Sequence, residues 1–163
     1  MQRASFALLF SLLALILPSA EAEPLGLVLP TDNTAIFSDD PSKFYMYTNR
    51  NFEGVNSKPW EGGTYGFSRN GKRTSIGVIN TRLHEGVDIR PVQRDNSGEP
   101  LDEVRAISRG TVVYVNDTSS HSNYGRYIVV HHDWGDGPFF SLYAHLSSAS
   151  AQPGQKVAAG QTI

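Results

Sequence analysis

His84 and Asp88 lie four residues apart in the stretch HEGVDI (residues 84–89) and could bind one metal ion or form a salt bridge. In a straight strand, residues four apart are separated by roughly 13 Å, which is too far to share an ion. A helix is disfavoured by Gly86, by the β-branched residues beside Asp88 and by a proline soon after. We therefore predict that the chain bends at Gly86 and enters a strand near Asp88. Such a bend permits the two side chains to meet, and it leaves both the metal site and the ion pair open.

Three further histidines are weaker candidates for metal binding or proton transfer. His121 lies in a loop rich in serine and asparagine, and we expect it to be a solvated surface residue. His131 and His132 are adjacent in a predicted strand, so their side chains must point to opposite faces of the sheet. At most one of these two can therefore reach a given site.

The segment SLYAHL (residues 141–146) places His145 in another predicted strand. Simple alternation predicts that its two leucines and its alanine face the core, and that Tyr143 and His145 face the opposite, exposed side. A cleft on that side would make His145 available to a substrate. Taken alone, His145 is better explained as an exposed strand histidine that makes a cross-strand hydrogen bond.

The motifs taken together resemble the lysostaphin-type, or LytM-type, zinc metallopeptidases, which are peptidoglycan endopeptidases. A single H-x-x-x-D pattern is common by chance, whereas an ordered set of motifs is specific. The resemblance covers about residues 62–163 and lies in the stretches YGFSRN (65–70), LHEGVDI (83–89), GEPLDEVRAISRGTVVYV (98–115), YGRYIVVHHDWGDG (124–137), YAHLS (143–147) and GQKVAAGQTI (154–163).

The resemblance implies that His84 and Asp88 bind Zn²⁺ and that His145 is a catalytic residue that does not bind the metal. In that family the third zinc ligand belongs to a later H-x-H motif, which this sequence lacks. His131 or His132 is a poor substitute, because both lie in the middle hairpin of the pattern. Catalytic zinc normally has three protein ligands and a water. We therefore expect the sequence to be a fragment that stops before the H-x-H motif and is inactive by itself.

The function implied by the resemblance is hydrolysis of peptide bonds in bacterial peptidoglycan by an exported zinc endopeptidase. The metal would polarise the scissile carbonyl and activate water, while His145 would handle the proton or the developing oxyanion. The alternative is a non-catalytic module of the same fold that binds peptidoglycan or regulates a hydrolase. A third hypothesis is a structural β-domain in which His84 and Asp88 form an ordinary ion pair.

The N-terminus and the composition limit the possible cellular locations and binding partners of the protein. Residues 1–22 contain one arginine, an apolar run and a small-x-small ending, which predicts a secretory signal peptide. We therefore expect a secreted or periplasmic protein with no stable membrane insertion after cleavage. The chain has no cysteine, which excludes disulfides. Its net charge of −2 gives no electrostatic footprint for nucleic acid.

The residues that position these groups are predicted to form an all-β domain, with an antiparallel sheet core over residues 62–163. Short β-rich runs separated by Gly/Asp/Asn turns are typical of antiparallel meanders, and they lie at residues 104–107, 111–115, 126–132 and 139–146. Residues 60–73 are predicted to be loop with one short extended piece. Residues 23–61 have no assigned role. Their aromatic run at 44–47 predicts a short strand packed on the main domain, and a latency element over the groove is one hypothesis for this segment.

Overall fold

The computed structural model describes residues 26–46, 62–134 and 137–163 of the chain. Within these ranges the regular structure consists of β-strands and short 3₁₀ turns, and there is no α-helix. All strand pairs are antiparallel. The predicted all-β fold is therefore confirmed.

A two-stranded hairpin precedes the candidate metal ligands. Strand β1 (Ser68–Thr74) pairs with β2 (Gly77–Leu83) from Ser68 opposite Leu83 to Thr74 opposite Gly77. For residues 60–73 the prediction is a loop with one short extended piece; β1 is an extended segment in this range and continues to Thr74. Its sequence, SRNGKRT, has no apolar alternation that would predict the full strand, which forms by pairing of its backbone with β2.

The main sheet has four strands in the spatial order β5-β4-β3-β6. Three of them correspond to predicted strands, with bounds that differ by a few residues: β3 (Gly110–Asn116), β4 (Arg126–Trp134) and β5 (Gly137–Leu146). Strand β6 (Lys156–Val157) pairs with the start of β3. The predicted strand at residues 104–107 is reduced to one isolated bridge, between Arg105 and Thr162.

The core lies on one face of the main sheet. Its buried members come from strands and from the flanking loops: Ala106, Val112, Ile128, Val130, Tyr143, Ala151, Val157 and Ile163. The predicted orientation of β5 is wrong at Leu142 and Tyr143, because Tyr143 is 7% exposed whereas Leu142 is 46% exposed. It is confirmed at His145, which is exposed, and at Leu146, which packs against the core. Burial of Tyr143 is acceptable because its hydroxyl oxygen accepts a hydrogen bond from the Ile107 N–H at 2.8 Å and lies 2.9 Å from Ser141 Oγ.

The adjacent histidines of β4 face opposite sides, as alternation predicts. His132 is fully buried, with Nδ1 2.7 Å from the Arg109 carbonyl oxygen and Nε2 2.7 Å from Ser141 Oγ. His131 is partly exposed and its ring contacts Phe140. Both ring nitrogens of His132 are thus engaged in the core, which makes it unsuitable as a ligand on the outer face.

Residues 26–46 pack on the main domain. The Val28 N–H donates to the Ile107 carbonyl, and Tyr45 forms an isolated bridge with Ile89. This bridge is what remains, among the described residues, of the strand predicted at 44–47, since Tyr47 lies outside them. The predicted signal peptide, residues 1–22, also lies outside the described residues. No helix in the described part of the chain is long and apolar enough to cross a membrane.

Candidate metal centre

The β1–β2 hairpin determines the backbone position of His84. The backbone pairing continues one step beyond the strands, because the His84 N–H donates to the Phe67 carbonyl and the Gly66 N–H donates to the His84 carbonyl, both at 2.8 Å. His84 is therefore held on both backbone groups at the open end of the hairpin. The hairpin, of which the sequence predicts only one short extended piece, thus positions the candidate ligand His84.

The imidazole of His84 is oriented by a backbone carbonyl. Its Nδ1 lies 2.9 Å from the Thr64 carbonyl oxygen. Because a carbonyl oxygen can only accept, Nδ1 carries the hydrogen of this bond. In the neutral ring Nε2 is then the nitrogen with the lone pair, and metal-binding histidines are commonly oriented through such a bond at the other nitrogen.

Asp88 meets this nitrogen after a bend in the chain at Gly86. Its Oδ1 lies 3.2 Å from His84 Nε2, and the two side chains are only 28% and 13% exposed. The expected bend is present, although Asp88 itself precedes the bridge at Ile89 and is not in a strand. The structure therefore brings the two predicted ligands together.

Their separation can be compared with the geometry of zinc. Two tetrahedral ligand atoms at the usual Zn–N and Zn–O distances are about 3.3 Å apart, so the observed spacing fits a shared ion. It also fits a hydrogen-bonded ion pair with a protonated histidine. Among the described residues there is no group of three or more His, Cys, Asp or Glu side chains that could hold a metal. The described part of the chain thus offers two metal-binding atoms, His84 Nε2 and Asp88 Oδ1, and both are of types that zinc binds.

His145 lies at a bulge near the end of β5. Tyr143 is opposite Ile128 and Leu146 is opposite Arg126, so Ala144 and His145 together face the single residue Tyr127. His145 is exposed and has a φ of 58°, in the left-handed region that residues other than glycine rarely adopt. Bulges change the direction of side chains, and strained residues of this kind cluster at functional sites.

Tyr124 connects His145 with the loop of the candidate ligands. Its carbonyl accepts the His145 N–H at 2.9 Å, and its hydroxyl donates to Glu85 Oε2 at 2.9 Å. Glu85 directly follows His84, so one residue contacts both parts of the candidate site. The hydrogen bond to the Glu85 carboxylate raises the pKa of Tyr124, since it favours the protonated phenol. The sequence indicates no role for Tyr124 beyond its place in the YGRYIVV stretch.

The sequence model of peptidase family M23 matches residues 82–163, which is half of the chain. This chain belongs to peptidase family M23. The match includes His84, Asp88 and His145, and it confirms the resemblance to lysostaphin-type peptidases. M23 membership supports peptidase activity and links the protein to peptidoglycan. No curated protein and no solved structure matches the chain significantly.

Proposed function

We propose that this M23 protein is an exported zinc endopeptidase that hydrolyses peptide bonds of bacterial peptidoglycan. One observation carries the proposal: His84 Nε2 faces Asp88 Oδ1 at 3.2 Å while Nδ1 of the same ring is held on the Thr64 carbonyl. A neutral imidazole beside a carboxylate suits Zn²⁺ better than Mg²⁺ or Ca²⁺, which prefer oxygen ligands.

A third protein ligand is needed to complete such a site. The described residues do not supply it, because no third metal-binding side chain joins His84 and Asp88 there. We propose that the pair alone does not form a working centre. The active protein then requires one more donor, of which a histidine is the expected type.

The chain's own residues would divide the work of hydrolysis. Zinc would act as a Lewis acid that polarises the scissile carbonyl and activates water near neutral pH. His84 and Asp88 would hold the ion, and Thr64 would keep the imidazole in the tautomer that can bind it. His145, exposed at the bulge, would donate or accept a proton on the reacting groups. Tyr124 would maintain the spacing between His145 and the loop of the ligands.

Export is part of the proposal and is supported by the signal-peptide pattern of residues 1–22. Peptidoglycan lies outside the cytoplasmic membrane, so the location and the substrate class agree. The absence of cysteine also suits an exported domain stabilised by its sheet and core rather than by disulfides.

A second candidate function is a non-catalytic module that binds peptidoglycan or regulates a hydrolase. The observation in its favour is that the described residues offer two metal donors rather than three. Such a module would keep the sheet and bind the substrate, and it would not cleave it.

The deciding experiment uses the mature full-length protein and purified peptidoglycan, with new amino and carboxyl termini identified by mass spectrometry. For the zinc endopeptidase, we expect cleavage that stops on chelation, resumes with Zn²⁺ and is lost in His84→Ala. Binding without cleavage by the zinc-loaded protein would favour the regulatory module. Cleavage that survives both chelation and His84→Ala would refute the metal mechanism.

A further inference from the structure

We infer that residues 33–46, here called the strap, are a positioning element for the metal ligand Asp88. The strap lies outside the part of the chain matched to family M23, residues 82–163. The inference rests on the metal site proposed above and adds a role for a segment that the proposed function does not use.

The strap holds the backbone on both sides of Asp88. The Met46 N–H donates to the Asp88 carbonyl at 2.7 Å, and the Arg90 N–H donates to the Phe44 carbonyl at 2.8 Å. Between these bonds, Tyr45 forms an antiparallel bridge with Ile89. The residues that follow the Gly86 bend are therefore paired with the strap as in a short two-stranded ladder.

Gly63 holds the same residue from a second direction. The Asp88 N–H donates to the Gly63 carbonyl at 2.9 Å. A Cβ built on Gly63 would lie 2.5 Å from the Met46 carbonyl oxygen, so a side chain here would force the strap to shift. The amide and carbonyl groups of Asp88 are thus fixed between Gly63 and Met46, and their spacing depends on a glycine.

Asn33 anchors the strap to the ligand loop. Its side chain is buried, and its Nδ2 donates to the Arg90 carbonyl at 2.8 Å and to the Lys43 carbonyl at 3.0 Å. Its Oδ1 accepts the Ala35 N–H at 2.9 Å. The Asn33 side chain therefore joins the start of the strap, its later part at Lys43, and Arg90, two positions after Asp88. Phe44, which follows Lys43 in the strap, is also buried, with 2% of its surface exposed.

These contacts imply a loss of function when the strap is released. The residues between His84 and Asp88 form no regular strand, so the position of the carboxylate depends on contacts from outside this loop. Residues that orient metal ligands change metal affinity by about 10–100-fold when they are replaced. A latency segment would have the opposite effect, since its release would increase activity.

The first test compares Asn33→Ala with a matched control, Asp32→Asn, in the full-length protein. Asp32 also ties this part of the chain to the domain, through two contacts with Arg105 at 2.6 and 3.1 Å, but away from the loop of Asp88. We expect Asn33→Ala to weaken Zn²⁺ binding about 10-fold and to alter the absorption spectrum of bound Co²⁺. The control should leave both unchanged, whatever it does to the melting temperature.

A second measurement needs no substitution and covers the case in which Asn33→Ala does not fold. Coupling between two sites is reciprocal, so if the strap favours metal binding, Zn²⁺ must stabilise the strap. In the wild-type protein we expect Zn²⁺ to slow hydrogen exchange of the Met46 and Arg90 amides. The Val28 amide, which is bonded to Ile107, is the internal control and should change less.

The outcomes separate this inference from the proposed function. If the wild-type protein binds Zn²⁺ and folded Asn33→Ala binds it equally well, the strap has no positioning role and the metal site stands. Unchanged exchange at Met46 and Arg90 on zinc binding would also overturn the inference. If the wild-type protein binds no Zn²⁺, the proposed function and the inference both fail.

Discussion

His84 Nε2 lies 3.2 Å from Asp88 Oδ1, across a bend at Gly86, while the other nitrogen of the ring is held by the Thr64 carbonyl. The hydrogen bond between Nδ1 and the Thr64 carbonyl determines which groups Nε2 can bind. With its hydrogen on Nδ1, the neutral ring presents a lone pair toward the carboxylate, and a cation between the two groups would relieve the repulsion of two acceptors. An ion pair would instead require a second proton on the ring.

His84→Ala and Asp88→Asn are each expected to reduce Zn²⁺ affinity by more than about 100-fold. Loss of a metal ligand should weaken binding more than loss of a residue that only orients a ligand, which costs about 10–100-fold. Peptidoglycan cleavage should disappear with the metal. Zinc content after dialysis and isothermal titration are the measurements. His131→Ala is the matched control, since His131 lies 3.8 Å from Asp133 in another histidine–aspartate pair. Retention of zinc by His84→Ala would contradict the site.

His145→Gly is expected to lower turnover about 10²–10⁴-fold, as for loss of a general acid or base, with zinc content unchanged. Glycine accepts the φ of 58° without steric cost, so the melting temperature should stay the same or rise. Thermal unfolding and peptidoglycan turnover test the two parts separately. His121→Gly, at an exposed histidine, controls for general effects of the substitution. Full activity of His145→Gly would remove this residue from the mechanism.

Tyr124→Phe removes the hydrogen bond to Glu85 but keeps the ring and the carbonyl that accepts the His145 N–H. Loss of about 1 kcal/mol of positioning energy would reduce turnover about 5-fold, with zinc affinity nearly unchanged. Steady-state kinetics on a soluble peptidoglycan fragment would measure this effect. Tyr127→Phe is the control, because the ring of Tyr127 contacts the ring of Tyr124 and its hydroxyl interacts with Tyr114 rather than with Glu85. Equal losses in both variants would argue against a specific link through Glu85.

Tyr143→Phe is expected to destabilise the fold at neutral pH by about 1–3 kcal/mol, because the partly buried Ile107 N–H loses its acceptor. Burial raises the pKa of Tyr143 above its ordinary value of 10.0. A raised folded-state pKa gives stability that is complete below the unfolded-state value and is lost as the pH rises through the folded-state value. The difference between wild type and variant should therefore shrink above about pH 10. Urea unfolding at neutral and alkaline pH tests this, and a constant difference would contradict it.

The sequence determined the features that depend on local pattern and on ordered motifs. Apolar, β-branched runs separated by turn residues predicted strands β3, β4 and β5, because burial of one sheet face leaves a periodic signal. The order of motifs along the chain indicated the M23 family, and Gly86 indicated the bend that lets His84 meet Asp88.

The tertiary structure decided the features that depend on residues distant in the chain. Strand β1 is polar and leaves no periodic signal, and the inward position of Tyr143 depends on an acceptor for the Ile107 amide. The bulge at His145 results from a shift in pairing with β4, and the strap reaches Asp88 from more than forty residues away in the chain. Local propensity does not record such contacts, since their free energy arises only when the folded chain brings the partners together.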